Sequence, residues 1–240
     1  MTSSNHSPLT THYSPFTIHQ FPLIFNLPAG RQVFNAQFSM NNYTYLALGD
    51  SYTIGEQVPF ADNYPNQAVQ LLRKKGVDFH APEIVARTGW TTDELQFGIN
   101  NRLFRSSYDF VTLLIGVNNQ YRGRSVEEYE EQFTVLLEQA LAFAGNRKER
   151  VAVLSIPDWG ITPFAATREG GKIAEEIDRF NEVNQRVSTA AGIHYIYITG
   201  LTREAAQDAS LLAPDGLHPS GKEYQRWAEK VAAFFSNIIS

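Results

Sequence analysis

A serine, a histidine, a carboxylate and an amide stand in short turn-forming blocks where they could act together on a carbonyl. Ser51 lies in Gly49-Asp50-Ser51-Tyr52-Thr53, and Asp215 and His218 lie in Pro214-Asp215-Gly216-Leu217-His218-Pro219-Ser220. An acid three residues before a histidine, across a Pro/Gly turn, can hold one ring tautomer and stabilise the imidazolium. The other ring nitrogen is then left to deprotonate a serine. His218 is therefore the best general-base candidate. Backbone N–H groups in a strand-to-helix turn such as that at Ser51 can stabilise an anion. In Gly116-Val117-Asn118-Asn119 the Asn118 side chain could aim an NH₂ at developing negative charge, and Gly89 in Arg87-Thr88-Gly89-Trp90 allows backbone to approach a ligand closely. Each block has a plainer reading on its own: a helix-start turn at Asp50-Ser51, ordinary turns at Gly89 and Gly116, and a surface hydrogen bond between Asp215 and His218.

Position makes these blocks more informative. Apolar strand-like runs occur at Tyr43–Leu48, Glu83–Ala86, Phe110–Ile115, Val151–Ile156 and His194–Ile198. Between them run helical patterns. Tyr129, Phe133, Leu136, Leu137, Ala140 and Leu141 recur at three and four within Ser125–Ala144, as do Ile173, Ile177, Phe180 and Val187, and Tyr224, Trp227, Val231, Phe234 and Ile238. Weaker helices are expected over Asn63–Lys75 and Thr92–Leu103. Alternation of this kind predicts an α/β fold, a three-layer α/β/α sandwich around a flavodoxin-like five-stranded parallel sheet of order 2-1-3-4-5. Ligands of such sheets sit at the carboxyl ends of the strands, where Ser51, Gly89 and Asn118 all fall.

Taken in order, Gly-Asp-Ser after strand one, Gly after strand two, Gly-x-Asn after strand three and Asp-x-x-His before the last helix resemble the SGNH hydrolase superfamily of GDSL-type esterases and lipases. The resemblance runs from Tyr43 to the C-terminus. It implies that Ser51 is the nucleophile, His218 the base and Asp215 its orienter, with the oxyanion hole formed by the N–H groups of Ser51 and Gly89 and by Asn118. One departure is visible: the third block usually ends in Asn-Asp and here reads Asn118-Asn119, retaining the oxyanion asparagine. The implied activity is serine ester hydrolysis through an acyl-enzyme, lysophospholipase-like activity included. Carbohydrate O-deacetylation and acyl transfer are alternatives using the same residues, and a non-catalytic binding module is the alternative of a different class.

The rest of the chain narrows the choice. A lipase of the α/β-hydrolase type is disfavoured because Thr53 stands where Gly-x-Ser-x-Gly needs its second glycine. No Gly-x-Gly-x-x-Gly or Walker lysine follows the first strand. With 20 basic against 25 acidic residues and no long basic run, nucleic acid is not an expected partner; the expected one is a small-molecule, lipid or glycan ester. Without cysteine there is no thiol nucleophile, thiolate site or disulfide. No metal or organic cofactor is called for. His80 and His194 read as structural, and Arg122 and Arg124 as solvated loop charges rather than substrate anchors. Trp90 and Trp159 are candidate substrate-pocket residues, and the long 157–171 connection is expected to shape that pocket. Residues 1–39, rich in polar residues and including His6, His12 and His19, read as a disordered tail or an upstream extension with a true start at Met40, an ordered arm packed on the domain being the alternative; 40–240 is the expected hydrolase domain. Phe16–Leu27 only imitates a signal peptide, no apolar run could span a bilayer, and a cytoplasmic location is expected over secretion.

Overall fold

Short apolar runs form the five strands, β1 (Tyr45–Gly49), β2 (Glu83–Ala86), β3 (Phe110–Leu114), β4 (Val151–Leu154) and β5 (His194–Ile196), in a computed structural model that describes residues 42–239. The expected tail over 1–39, the start at Met40 and the segment 16–27 lie outside the described residues. All strand pairs are parallel and the order is β2-β1-β3-β4-β5. Strands β1, β3 and β4 are buried at every position, as strands covered on both faces must be.

Among the described residues eight α-helices connect and cover the sheet: α1 (Ser51–Ile54), α2 (Tyr64–Lys74), α3 (Thr92–Asn100), α4 (Val117–Tyr121), α5 (Val126–Phe143), α6 (Gly170–Ala190), α7 (Thr199–Arg203) and α8 (Gly221–Ile239). Helix α2 packs on α8 in one layer, and α5 packs on α3 and α6 in the other. The apolar face of α8 meets the sheet through Phe235, whose ring stacks on Phe110 at 4.1 Å and contacts Tyr45 edge-on. In the opposite layer the Tyr129 ring lies 4.8 Å from that of Phe180. His194 stacks on Phe234 at 4.7 Å, which gives it a packing role. No helix among the described residues is long and apolar enough to cross a membrane.

Two differences from the periodicity reading have local causes. The run expected to continue to Ile198 leaves the sheet after Ile196, because the Ser155 hydroxyl accepts the N–H groups of Ile198 and Thr199 at 2.8 and 3.0 Å and turns the chain into α7. Helices α1, α4 and α7, of four or five residues, are too short to show a period in sequence. Two of them sit directly after β1 and β3, at the edge of the sheet where ligands bind.

Candidate active site

The first β/α turn is built around Ser51. Asp50 caps α1, its carboxylate accepting the Tyr52 N–H at 3.0 Å. A side chain on Gly49 would stand 2.1 Å from Thr53 Oγ1 and 2.4 Å from the Leu114 carbonyl oxygen, so only glycine lets the strand turn this tightly. Ser51 thereby emerges at the carboxyl end of β1, nearly buried. The same enclosure leaves Asp50 without solvent, and burial pushes its carboxyl up to about 7, against the lowering effect of the Tyr52 N–H.

The loop before α8 brings the histidine to that serine. His218 Nε2 lies 3.0 Å from Ser51 Oγ, and His218 Nδ1 lies 2.6 Å from Asp215 Oδ2. The other carboxylate oxygen of Asp215 accepts the backbone N–H groups of Leu217 and His218, both at 3.0 Å. Burial raises the Asp215 pKa, but the bonds from the His218 ring and from these two N–H groups outweigh it and hold the carboxyl below its ordinary value. A charged Asp215 fixes the proton on Nδ1 and leaves Nε2 as the acceptor facing the serine. The Tyr52 ring packs 5.3 Å from the imidazole and closes its other side.

Across the cleft, Arg87 to Trp90 form a turn closed by the Trp90 N–H on the Arg87 carbonyl at 3.2 Å, with Gly89 at φ 81°. A positive φ at the third turn residue is the type II pattern, which glycine adopts without strain. Two side chains from α4 and its C-cap hold this turn, and a third holds the start of α3 just after it. Asn118 Nδ2 donates to the Trp90 carbonyl at 2.9 Å, and Arg122 Nη2 donates to the Gly89 carbonyl at 2.6 Å. Asn119 is buried, accepting the Thr92 N–H at 3.1 Å and donating to Thr92 Oγ1 at 2.7 Å. The Thr92 hydroxyl in turn donates to Gln132, so the Asn119 amide sits in a satisfied network. An amide nitrogen carries two hydrogens, and the bond to Trp90 uses one of those on Asn118.

The sequence-predicted residues Ser51, Gly89, Asn118, Trp159 and His218 all border one cleft, of about 160 Å³, with Asp215 behind the histidine. Trp90 does not line it. The Trp90 ring instead lies over Gly98 of α3, where a Cβ would come within 2.3 Å of it, and only its carbonyl serves the cleft edge through Asn118. Tyr121 and Phe164, not singled out by sequence reasoning, do line it. The signal that could have found Phe164 is the long 157–171 connection, which is pinned over the cleft by the Phe164 N–H on the Gly216 carbonyl at 3.2 Å. Arg122 and Arg124 are half-exposed but engaged: Arg122 pairs with Glu94 at 3.1 Å, and Arg124 with Asp93 at 2.7 Å and Glu128 at 3.1 Å. Among the described residues no three His, Asp or Glu side chains are grouped as metal ligands.

The family model for the GDSL-like lipase/acylhydrolase family matches residues 47–226, the span that contains every residue of this cleft. Solved structures share the fold. A lipase/acylhydrolase from Enterococcus faecalis superposes with a TM-score of 0.64 at 19% identity, covering 80% of this chain and 94% of its own. An acetylxylan esterase from Geobacillus stearothermophilus superposes with a TM-score of 0.63 at 17% identity, covering 80% and 93%. A psychrotrophic esterase from Pseudoalteromonas sp., solved with monoethylphosphonate as inhibitor, gives 0.63 at 16% identity, covering 82% and 99%. No curated protein matches the chain.

Proposed function

Because the chain belongs to the GDSL-like lipase/acylhydrolase family, we propose that it is a serine ester hydrolase working through an acyl-enzyme, with Ser51 as nucleophile, His218 as base and Asp215 as orienter. The observation that carries this reading is the unbroken chain from Ser51 Oγ to His218 Nε2 at 3.0 Å and from Nδ1 to Asp215 at 2.6 Å, at the wall of a cleft whose other side offers amide donors. Ser51 Oγ attacks the ester carbonyl while His218 takes its proton. The tetrahedral oxyanion is held by the N–H groups of Ser51 and Gly89 and by the second hydrogen of Asn118 Nδ2. His218 returns the proton to the departing alcohol, then takes one from water as it attacks the acyl-enzyme, and passes that proton to Ser51 Oγ as the carboxylic acid is released. Sugar O-deacetylation is the same chemistry with a carbohydrate as the leaving alcohol.

Substitution of Ser51 by alanine tests the assignment. It removes one small oxygen from the turn, so hydrolysis of a p-nitrophenyl ester should vanish while the melting temperature stays near that of the native protein. Ordinary turnover by well-folded Ser51→Ala protein would sink the proposal. Wild-type protein that hydrolyses no ester and leaves Ser51 unreactive would instead point to a non-catalytic binding module on this scaffold.

A further inference from the structure

Resting on this serine-hydrolase reading of the cleft, we infer that the acyl group it takes is short and apolar, of up to about six carbons, and that Tyr121, Trp159 and Phe164 form the wall that limits it. Apart from Thr88 and the proposed catalytic groups Asn118 and His218, the side chains around the reacting serine are Tyr52, Val117, Tyr121, Trp159, Phe164 and Leu217, with no Asp, Glu, Lys or Arg among the lining residues. A hydroxyl-rich or charged acyl group would lose more water along these side chains than Thr88 could replace with hydrogen bonds, whereas a hydrocarbon gains by burial. Size sets the upper limit. A closed apolar cavity of roughly 150 Å³ holds a ring of six carbons; this cleft is of about that size but open to solvent, so carbons beyond that number must run out into water or press on its wall, and neither adds burial.

The far wall is braced against displacement. Trp159 meets Tyr121 at 5.4 Å and Phe164 at 6.0 Å, both edge-on. Its indole N–H donates to Gln120 Oε1 at 2.7 Å, and Gln120 donates in turn to Glu176 at 2.7 Å. From behind, the Arg168 guanidinium lies 4.8 Å from the Tyr121 ring centre and 5.5 Å from that of Trp159, and donates to the Tyr121 hydroxyl at 3.1 Å. A charged guanidinium over two rings holds them electrostatically as well as sterically. Beyond the wall is a groove lined by Gln120, Arg168, Lys172 and Glu176. A longer chain pushed that way would have to break these bonds and place methylenes against charge.

The test is kcat/KM for p-nitrophenyl acetate, butyrate, hexanoate, octanoate and decanoate, below their micelle concentrations, for wild type and Phe164→Ala. Phe164 is a half-exposed part of this wall, so its truncation should leave the fold intact. In wild type, kcat/KM should rise by up to roughly fourfold per methylene while the chain fits. It should peak at or before hexanoate and fall by about tenfold or more by decanoate. Phe164→Ala should move the peak to a longer chain. A wild-type profile still rising at decanoate, or a Phe164→Ala profile that coincides with it, overturns this inference while leaving the hydrolase reading standing. Absence of hydrolysis at every length, with Ser51 unlabelled by a phosphonate, overturns both.

Discussion

The two sides of the cleft are positioned by different means. On the serine and histidine side, the residues that would react also fix one another: Asp215 binds the His218 ring and two N–H groups of its own turn, and Asp50 caps the helix that Ser51 begins. On the amide side, the Gly89 turn is held by Asn118 and Arg122 from another β/α unit, and the α3 start that follows it by Asn119. Each turn of the first arrangement is supported by its own neighbours, and the Ser51–His218 bond joins the two finished turns across 167 residues. The second depends on contacts separated by about thirty residues in sequence, so it should be the side that tolerates graded damage.

The largest effect expected from this contrast is on the self-supporting side. Removing the base in His218→Ala should lower kcat by about 10⁴ or more, because nucleophile and base act as a unit. On the amide side, Asn118→Ala should lower kcat by about 10² to 10³ with KM nearly unchanged, the signature of a donor that binds the transition state more tightly than the ester. A larger kcat loss in equally folded Asn119→Ala would reverse the roles given to the two asparagines. With both its polar groups bonded to Thr92, Asn119 should mainly affect stability, by roughly 1 to 3 kcal/mol on a denaturation curve for the alanine variant.

A smaller effect is expected at Arg122. Its bond to the Gly89 carbonyl restrains a glycine turn whose N–H must point into the cleft, and slight misplacement of a reacting group is costly in rate. Arg122→Ala should lower kcat about tenfold on a neutral ester and leave KM within about twofold. A rise in KM confined to anionic esters, with kcat unchanged, would instead make Arg122 a substrate anchor.

Asp50 probes the self-supporting side through pH, with its effect on stability and not on turnover. Its carboxyl is raised from 3.8 to about 7 in the folded protein, so the folded state binds more protons than the unfolded state between those values. Stability from this group therefore falls as pH rises from about 4 to 7. At about 1.4 kcal/mol per pH unit the whole effect is about 4 kcal/mol. Asp50→Asn, which keeps an acceptor for the Tyr52 N–H, should gain stability over wild type progressively across that window. A difference between the two that is flat from pH 4 to 7 would show that Asp50 is ordinary in its titration.

The contrast between the two sides also explains what could be read in advance. The Ser51 and Asp215-x-x-His218 turns carry their geometry in adjacent residues, and the strands β1, β3 and β4 are apolar runs because both their faces are covered. Both were legible in sequence. The clamp on Gly89 was not, since an arginine in a polar loop looks solvated until α4 is seen beside the turn. Trp90 and Trp159 occupy equivalent places after strands, and only packing against Gly98 or Gln120 separates the ring that turns away from the one that lines the cleft. Tyr121 and Phe164 sit on elements too short or irregular to have a period.

The central claim, that Ser51 is a nucleophile activated by His218, is tested most directly by treating the folded protein with a fluorophosphonate and locating the adduct by peptide mass spectrometry. The account predicts one adduct per chain, on Ser51, absent in Ser51→Ala and formed far more slowly in His218→Ala. An adduct on another residue, or labelling of Ser51 at the same rate without His218, would contradict it.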